Sequence, residues 1–197
     1  MWSEATLVHR YTRTAMVLHW LVAALIAVNI ALIWSVDLLP DDAVRPVIDT
    51  HKSVGITVLG LVILRLLWRA AHRPPALPAS YAAWEKYGAH AAHIALYVLI
   101  LALPLSGWMH DSAWKDAAQF PMQLFYLLPW PRIGAIANLD PEVKEAFHDL
   151  SGHVHVWLSY ALYGMFFLHV AGALKHQWLD RQPELARMLP SSRKHGG

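Results

Sequence analysis

Residues 153–174 read HVHVWLSYALYGMFFLHVAGAL, a run without Asp, Glu, Lys or Arg that nevertheless contains three histidines. A helix rises about 1.5 Å per residue, so ~20 apolar residues are needed to cross the ~30 Å hydrocarbon core of a bilayer. Apolar and polar residues do not alternate in this run, which favours a helix over a strand of a membrane barrel. The run therefore predicts a transmembrane helix with ionisable imidazoles inside it.

The composition of the whole chain also indicates a membrane protein. Charged residues make up 15% of the 197 residues, whereas a soluble domain usually has about 25%. Hydrophobic residues make up 56%, compared with the usual ~45–50%. The chain has no cysteine, which excludes a disulfide scaffold, an iron–sulfur cluster, thiolate-held haem and a Cys-zinc site. A net charge of +2 is too small to indicate nucleic-acid binding.

Three further apolar stretches are long enough to cross a membrane. We therefore predict an all-α fold, an integral membrane four-helix bundle in which residues 1–197 form a single domain. The predicted spans are residues 15–36, 51–69, 89–109 and 153–175.

The basic residues predict the orientation, because Lys and Arg concentrate in cytoplasmic connections. One side of the predicted bundle carries eleven of them and the other side five, so both termini are expected in the cytoplasm, in a bacterial inner membrane. The eleven are Arg10, Arg13, Arg65, Arg69, Arg73, Lys86, Lys175, Arg181, Arg187, Arg193 and Lys194, and the five are Arg45, Lys52, Lys115, Arg132 and Lys144.

The connection between spans three and four, residues 110–152, is long and rich in aromatic residues and prolines. Such a connection is expected to lie along the outer membrane interface. Within it, Asp140, Pro141 and Glu142 have the residue types of a helix cap and first turn. They predict a short helix from Pro141 to about Leu150 that leads into span four.

Helical phase relates two of the intramembrane histidines. His155 and His169 are fourteen residues apart, which at about 100° per residue is within ~40° of four full turns, so both point the same way. The same distance corresponds to a rise of about 21 Å, which places one imidazole near each membrane surface. His153 lies nearly on the opposite face.

Depth then pairs these residues with histidines of other spans. His19 lies near the cytoplasmic end of span one, level with His169, and His51 opens span two at the outer end, level with His155. Two imidazoles on opposite sides of a flat site are the axial ligands of a b-type haem, and they favour electron transfer because no coordination position stays open.

Other interpretations of these histidines are more ordinary. A single histidine at a helix end is more often an interfacial or hydrogen-bonded residue than a ligand. A zinc or copper site is the main competing metal site, but acidic and thiol co-ligands are missing.

Several motifs resemble the bacterial cytochrome b561 family of di-haem membrane proteins, and the resemblance covers nearly the whole chain. The cytochrome b subunits of hydrogenase and formate dehydrogenase share the same four-histidine scheme. The motifs are Tyr11-x-Arg13 with His19-Trp20, His51 with Val54-Gly55, Arg65-Leu66-Leu67-Trp68-Arg69, Gly88-Ala89-His90-Ala91-Ala92-His93, and His155 to His169 continuing to His176 and Arg187-Met188-Leu189-Pro190.

The resemblance implies two haem b groups, with His19 and His169 holding the cytoplasmic-side haem and His51 and His155 the outer one. It also implies electron exchange with ubiquinone, and most specifically the oxidation of superoxide, with O₂ and ubiquinol as products. The expected partners are membrane lipid, ubiquinone or ubiquinol, and either superoxide or a periplasmic redox protein. The outer connection is longer here than in the shortest members of the family, which leaves the outer electron partner open.

Additional side chains are candidates for cofactor binding. Arg13 and Arg65 have the geometry to pair with haem propionates, with snorkelling to lipid headgroups as the alternative. His176 is seven residues beyond His169, on nearly the same face, and is the candidate for a hydrogen bond to quinone. His90 and His93 share a face of span three and are candidates for proton transfer or for structural hydrogen bonds.

Three functions follow from these expectations. The first is a quinone-coupled oxidoreductase, in which a small anionic donor would need a basic approach to the outer haem from Lys52, Arg45 and Arg132. The second is an electron-carrying anchor subunit of a larger dehydrogenase or hydrogenase complex, whose partner docks on the outer connection. The third is a histidine-lined metal-ion or proton transporter, for which the spans offer few carboxylates.

Overall fold

The computed structural model describes residues 10–78 and 80–189, which are mostly helical. Of the residues named above, Pro190, Arg193 and Lys194 lie outside this described part. In chain order the elements are α1 (Arg13–Ser35), a 3₁₀ turn (Val36–Leu38), α2 (Asp41–Ala71), α3 (Ala83–Ser112), β1 (Gln123–Leu124), β2 (Leu128–Pro129), α4 (Gly134–Ala137), α5 (Pro141–Leu174), a π-helical turn (Lys175–Leu179) and α6 (Glu184–Met188).

Four of the described helices, α1, α2, α3 and α5, are long and apolar enough to cross a membrane, which confirms the predicted helical membrane fold. Their outward faces are apolar: Trp157 is 71% exposed and Phe167 is 76% exposed. Exposed apolar surface on this scale requires an apolar medium around the helices. The protein is therefore a multi-pass membrane protein.

The helices extend beyond the predicted spans, most of all at their starts. Helix α2 begins at Asp41, ten residues before the predicted span, and contains Pro46 in its second turn. The predicted short helix before span four is not separate, because α5 runs without interruption from Pro141 to Leu174. The predicted cap position is confirmed, since Asp140 is the N-cap residue, although its side chain forms no capping hydrogen bond.

The four long helices pack in sequence, α1 on α2, α2 on α3 and α3 on α5. Val22 of α1 and Val54, Val58 and Val62 of α2 form the buried cluster at the first of these contacts. Helices α1 and α5 instead meet through rings, as where Trp34 and Tyr163 lie with centroids 5.6 Å apart. We call the end of the bundle that carries Arg10 and Leu189 the terminal end, and the opposite end the hairpin end.

The hairpin end is closed by the antiparallel pair β1–β2. Ser53 of α2 is 1% exposed and fixes this hairpin, because its hydroxyl accepts from Phe125 N (2.9 Å) while it donates to Asp49 O of its own helix (2.8 Å). The hairpin loop has three residues, Phe125 to Leu127, because Leu124 pairs with Leu128. Its first two residues, Phe125 and Tyr126, have φ values of 50° and 60°. Asn and Gly are the usual residues at consecutive positive φ values in a hairpin turn, because other residues are strained there.

The segment after α5 crosses the terminal end and forms hydrogen bonds with α1 and with the connection between α2 and α3. Arg187 is 5% exposed and donates to Pro75 O and Ala76 O, in the connection between α2 and α3. Trp20 of α1 donates to Met188 O at 2.8 Å. These hydrogen bonds place the last described residues against α1 and the α2–α3 connection.

Candidate functional site

The structure brings His51 of α2 and His155 of α5 together at the hairpin end. Their ring centroids are 6.2 Å apart and the ring planes are nearly perpendicular, at 81°. The Nδ1 of His51 donates to Asn29 O at 3.2 Å, and the Nδ1 of His155 donates to Leu103 O at 3.0 Å. A carbonyl can only accept, so each ring carries its proton on Nδ1 and leaves the Nε2 lone pair free for a metal.

A glycine makes room for this pair. A Cβ on Gly107 of α3 would lie 3.2 Å from His155 Cε1, tighter than an ordinary contact. Ser106, the residue before it, lies with its hydroxyl 3.0 Å from His155 Nδ1. Helix α3 therefore approaches the imidazole closely and fixes its orientation.

The second pair, His19 of α1 and His169 of α5, lies at the terminal end. Its ring centroids are 6.3 Å apart, with an interplanar angle of 70°. A third imidazole, His93 of α3, has its centroid 5.3 Å from that of His169 and donates from Nδ1 to Ala89 O at 2.8 Å. His90, which lies on the same face of α3, is exposed, and its Nδ1 donates to Lys86 O of the same helix.

Both ring separations fit a metal ion held between two imidazoles. Imidazole-to-metal bonds are about 2 Å long, so two rings that face each other across one ion have centres about 6 Å apart. The two sites share α5, on which His155 and His169 are about 21 Å apart along the axis. The arrangement offers two bis-imidazole sites stacked along the bundle.

Arg65 of α2 stands beside the pair at the terminal end. Its Nε donates to the Tyr97 hydroxyl at 2.9 Å, while its Nη1 is buried without a hydrogen-bond partner among the described residues. A buried guanidinium nitrogen without an acceptor is costly, and a carboxylate of a bound group would satisfy it. Arg13, the other arginine predicted for this role, begins α1 with an exposed side chain.

His176 lies in the π-helical turn that follows α5. The prediction that it shares a face with His169 assumed about 100° per residue, and this spacing does not hold in the turn. The Nδ1 of His176 bonds Asp180 Oδ2 at 2.6 Å, and its ring stacks on Tyr81 with centroids 4.2 Å apart. A hydrogen bond from Lys175 lowers the pKa of Asp180, and burial together with Glu184 raises the pKa of Tyr81. His176 is thus held between an ionised carboxylate and a protonated phenol.

Three of the cations at the hairpin end pair with carboxylates. Asp111 is 4% exposed and pairs with Lys52 at 2.6 Å and with Arg132 at 2.9 Å. Arg45 pairs with Asp49 at 3.0 Å. The three basic residues predicted to attract an anionic donor are therefore all in ion pairs.

Two histidines that the sequence did not suggest as a pair lie next to this network. His110 and His148 stack with centroids 3.8 Å apart, and each donates from Nδ1 to the other's backbone carbonyl at 2.9 Å. The sequence pattern did not predict the contact of His148, because this residue lies in the part of α5 that the sequence predicts as a separate short helix. Its bonds to His110 join the hairpin-side ends of α3 and α5.

These observations define a class of protein: a helical membrane protein with two intramembrane pairs of imidazoles. The family model "Prokaryotic cytochrome b561" matches residues 10–191, and the chain belongs to this family. It is a membrane b-type cytochrome of electron transfer, and membership in the family implies that it binds haem b.

Three relatives match over almost their whole length. "Cytochrome b561 homolog 2" of Escherichia coli (strain K12) is 32% identical over 185 residues, with 93% of both chains covered. "Cytochrome b561 homolog 1" of the same organism is 25% identical, over 92% of this chain and 98% of the relative. "Probable superoxide oxidase CybB" of Yersinia pestis is also 25% identical, over 93% of this chain and 98% of the relative.

Proposed function

We propose that the chain binds two haem b groups, one between His51 and His155 and one between His19 and His169. The observation that carries the proposal is the pair of ring separations, 6.2 Å and 6.3 Å, both of which suit one metal ion between two imidazoles. Haem, when bound, would supply one-electron oxidation and reduction, and the two histidines of each site would hold its iron and leave no position for O₂.

The protein's own groups would hold and orient these cofactors. The carbonyls of Asn29 and Leu103 fix the tautomers of His51 and His155, which is how second-shell acceptors orient metal-binding imidazoles. Arg65 would bind a propionate of the group between His19 and His169, because its buried Nη1 has no other acceptor in the described structure. Arg13, exposed at the start of α1, would bind a propionate or a lipid headgroup.

The proposed direction of electron flow is from an outer donor to ubiquinone, across a bacterial inner membrane. The terminal end is assigned to the cytoplasm, since it carries nine of the fourteen Lys and Arg residues in the described part of the chain. The hairpin end, with His51 and His155, would then face the outer donor.

Superoxide is the proposed donor, and the relative named "Probable superoxide oxidase CybB" supports this choice. Two superoxide ions would each lose one electron and leave as O₂, while one ubiquinone would gain two electrons and two protons to become ubiquinol. His176 is the proposed hydrogen-bond partner of the quinone at the terminal end, near ionised Asp180.

A partner protein is a second candidate for the outer donor. The hairpin exposes Leu127 by 81% and Leu128 by 63%, beside Phe125 and Tyr126. An apolar tip of this kind suits a protein contact, which is the arrangement of an anchor subunit in a larger dehydrogenase or hydrogenase complex. Membership in a cytochrome family favours both of these over a metal-ion or proton transporter.

The proposal is tested with purified protein reconstituted in vesicles that contain ubiquinone, supplied with enzymatically generated superoxide. We expect O₂ and ubiquinol to form in a ratio of two to one. His155→Ala should abolish the reaction, whereas His153→Ala, at an exposed histidine whose Nδ1 donates to Asp149 O of the same helix, should leave it unchanged. Protein that is reducible by dithionite but forms no ubiquinol with superoxide would exclude superoxide and leave the partner protein as donor.

A further inference from the structure

A cavity of about 170 Å³ opens at the terminal end, between the start of α1 and the end of α2. Four arginines line it, Arg10, Arg65, Arg69 and Arg73, together with His72. In the described part of the chain the lining includes no Asp or Glu. The cavity is therefore strongly positive.

Within residues 10–78 and 80–189, no carboxylate neutralises the charges in this cavity. Elsewhere in the described chain, Arg45, Lys52, Arg132, Lys175 and Arg187 each pair with a carboxylate. None of the four cavity arginines forms an ion pair with a described residue, and Arg65 Nη1 is buried without an acceptor. Arg65 is the proposed partner of a haem propionate, and an anion in the cavity would stabilise the other three guanidinium groups, which otherwise repel one another.

The surroundings of the cavity are rigid and aromatic. Trp68 stacks on His72 with centroids 3.9 Å apart, and its Nε1 donates to Thr12 Oγ1 at 2.8 Å. Thr12 is the N-cap of α1, so the positive end of that helix dipole also points toward the cavity. The wall of the cavity is thus preformed.

The neighbouring surface identifies the kind of anion. Leu64 and Leu67 of α2, within one turn of Trp68, are 55% and 62% exposed. Apolar surface lies next to the arginines at the level where the helix leaves the membrane, with a tryptophan at the boundary, as in membrane-interface belts. A phosphate that carries acyl chains would contact both the arginines and the exposed leucines, whereas a soluble anion would contact only the arginines.

We propose that this cavity binds the phosphate of an anionic phospholipid. Arg10, Arg69 and Arg73 contact the headgroup, while Arg65 at the inner wall faces the His19–His169 site. The acyl chains lie along the exposed leucines of α2. The lipid would seal the terminal end of the bundle between α1 and α2.

The test is native mass spectrometry of the holoprotein titrated with dioleoylphosphatidylglycerol or, for comparison, zwitterionic dioleoylphosphatidylcholine. We expect dioleoylphosphatidylglycerol to bind more tightly than dioleoylphosphatidylcholine. Each arginine removed in R69Q/R73Q should lower the affinity for dioleoylphosphatidylglycerol about fivefold. Arg181→Gln, which removes an exposed charge outside the cavity, is the matched control and should bind like the wild type.

Two further measurements distinguish the other sources of an anion. Glycerol 3-phosphate or inorganic phosphate that displaced the lipid at equal concentration would overturn the proposal in favour of a soluble anion. Loss of a haem in R69Q/R73Q, without a change in lipid affinity, would assign the cavity to a haem propionate and also overturn it. Equal affinity of both lipids for the wild type would contradict it directly. The lipid titration is valid whether or not the haem assignment is correct.

Discussion

At the scale of single residues, the chemistry depends on which nitrogen of each imidazole carries the proton. Backbone carbonyls bind Nδ1 of His51, His93 and His155, so each of these rings presents its Nε2 lone pair. At the terminal end this gives His169 two neighbours, His19 at 6.3 Å and His93 at 5.3 Å. The longer separation matches that of His51 and His155, which is why His19 is assigned as the partner.

The assignment predicts different results for the two neighbours of His169. His19→Ala should remove one haem per chain, because no other imidazole among the described residues lies opposite His169 at the required separation. His93→Ala should retain both haems. The pyridine haemochrome content per chain measures this, and loss of a haem in His93→Ala together with its retention in His19→Ala would reverse the assignment.

Gly107 allows a second prediction at this scale. A methyl group there would lie 3.2 Å from His155 Cε1, so Gly107→Ala should displace the ring and lower haem occupancy at the hairpin end only. Gly164 lies on α5 between the two histidines, with nothing within 4 Å of an added Cβ, and Gly164→Ala is the control. Equal haem spectra for the two variants would show that the ring tolerates the methyl group.

At the scale of elements, the hairpin stores backbone strain at Phe125 and Tyr126, which have positive φ. Replacement by Asn-Gly should keep the turn and raise the free energy of unfolding by about 1 kcal/mol, since these residues adopt that conformation more readily. Thermal unfolding in detergent measures the change. A lower midpoint would mean that the aromatic contacts, such as the Tyr126 hydroxyl to Pro46 O, outweigh the strain.

The ion-pair network at the hairpin end joins α2 to the residues on either side of the hairpin. Asp111→Asn would leave Lys52 and Arg132, whose side chains are 20% and 13% exposed, without their shared carboxylate. Removing one member of a buried network usually costs about 3 kcal/mol. Thermal unfolding should therefore begin at a lower temperature, whereas Asp149→Asn, at an exposed residue, should have little effect.

The sequence predicted the elements that obey simple periodicity. Apolar length located the four spans, and the 100° rule placed His155 and His169 on one face because α5 is regular between them. The same rule could not follow the chain past Lys175, where the π-helical turn changes the spacing and moves His176 against Tyr81. Hydrogen bonds between distant residues, such as those of His110 with His148, leave no periodic signal.

At the scale of the whole molecule, the two ends differ in how their charges are balanced. The hairpin end pairs Arg45, Lys52 and Arg132 with carboxylates, while no described carboxylate pairs with the four arginines of the cavity at the terminal end. Electrostatic steering of a small anion toward the hairpin end should therefore be weak. The rate of reduction by superoxide should vary little with ionic strength, and a steep fall between low and high salt would contradict this.

The whole molecule is proposed to hold two haem b groups stacked along α5, each between two imidazoles. A reduced-minus-oxidised absorption spectrum of the purified protein, with haem and protein quantified in the same sample, measures this. We expect b-type spectra and two haems per chain, with one haem each in His155→Ala and His169→Ala. One haem or none in the wild type, after expression with sufficient haem supply, would contradict it.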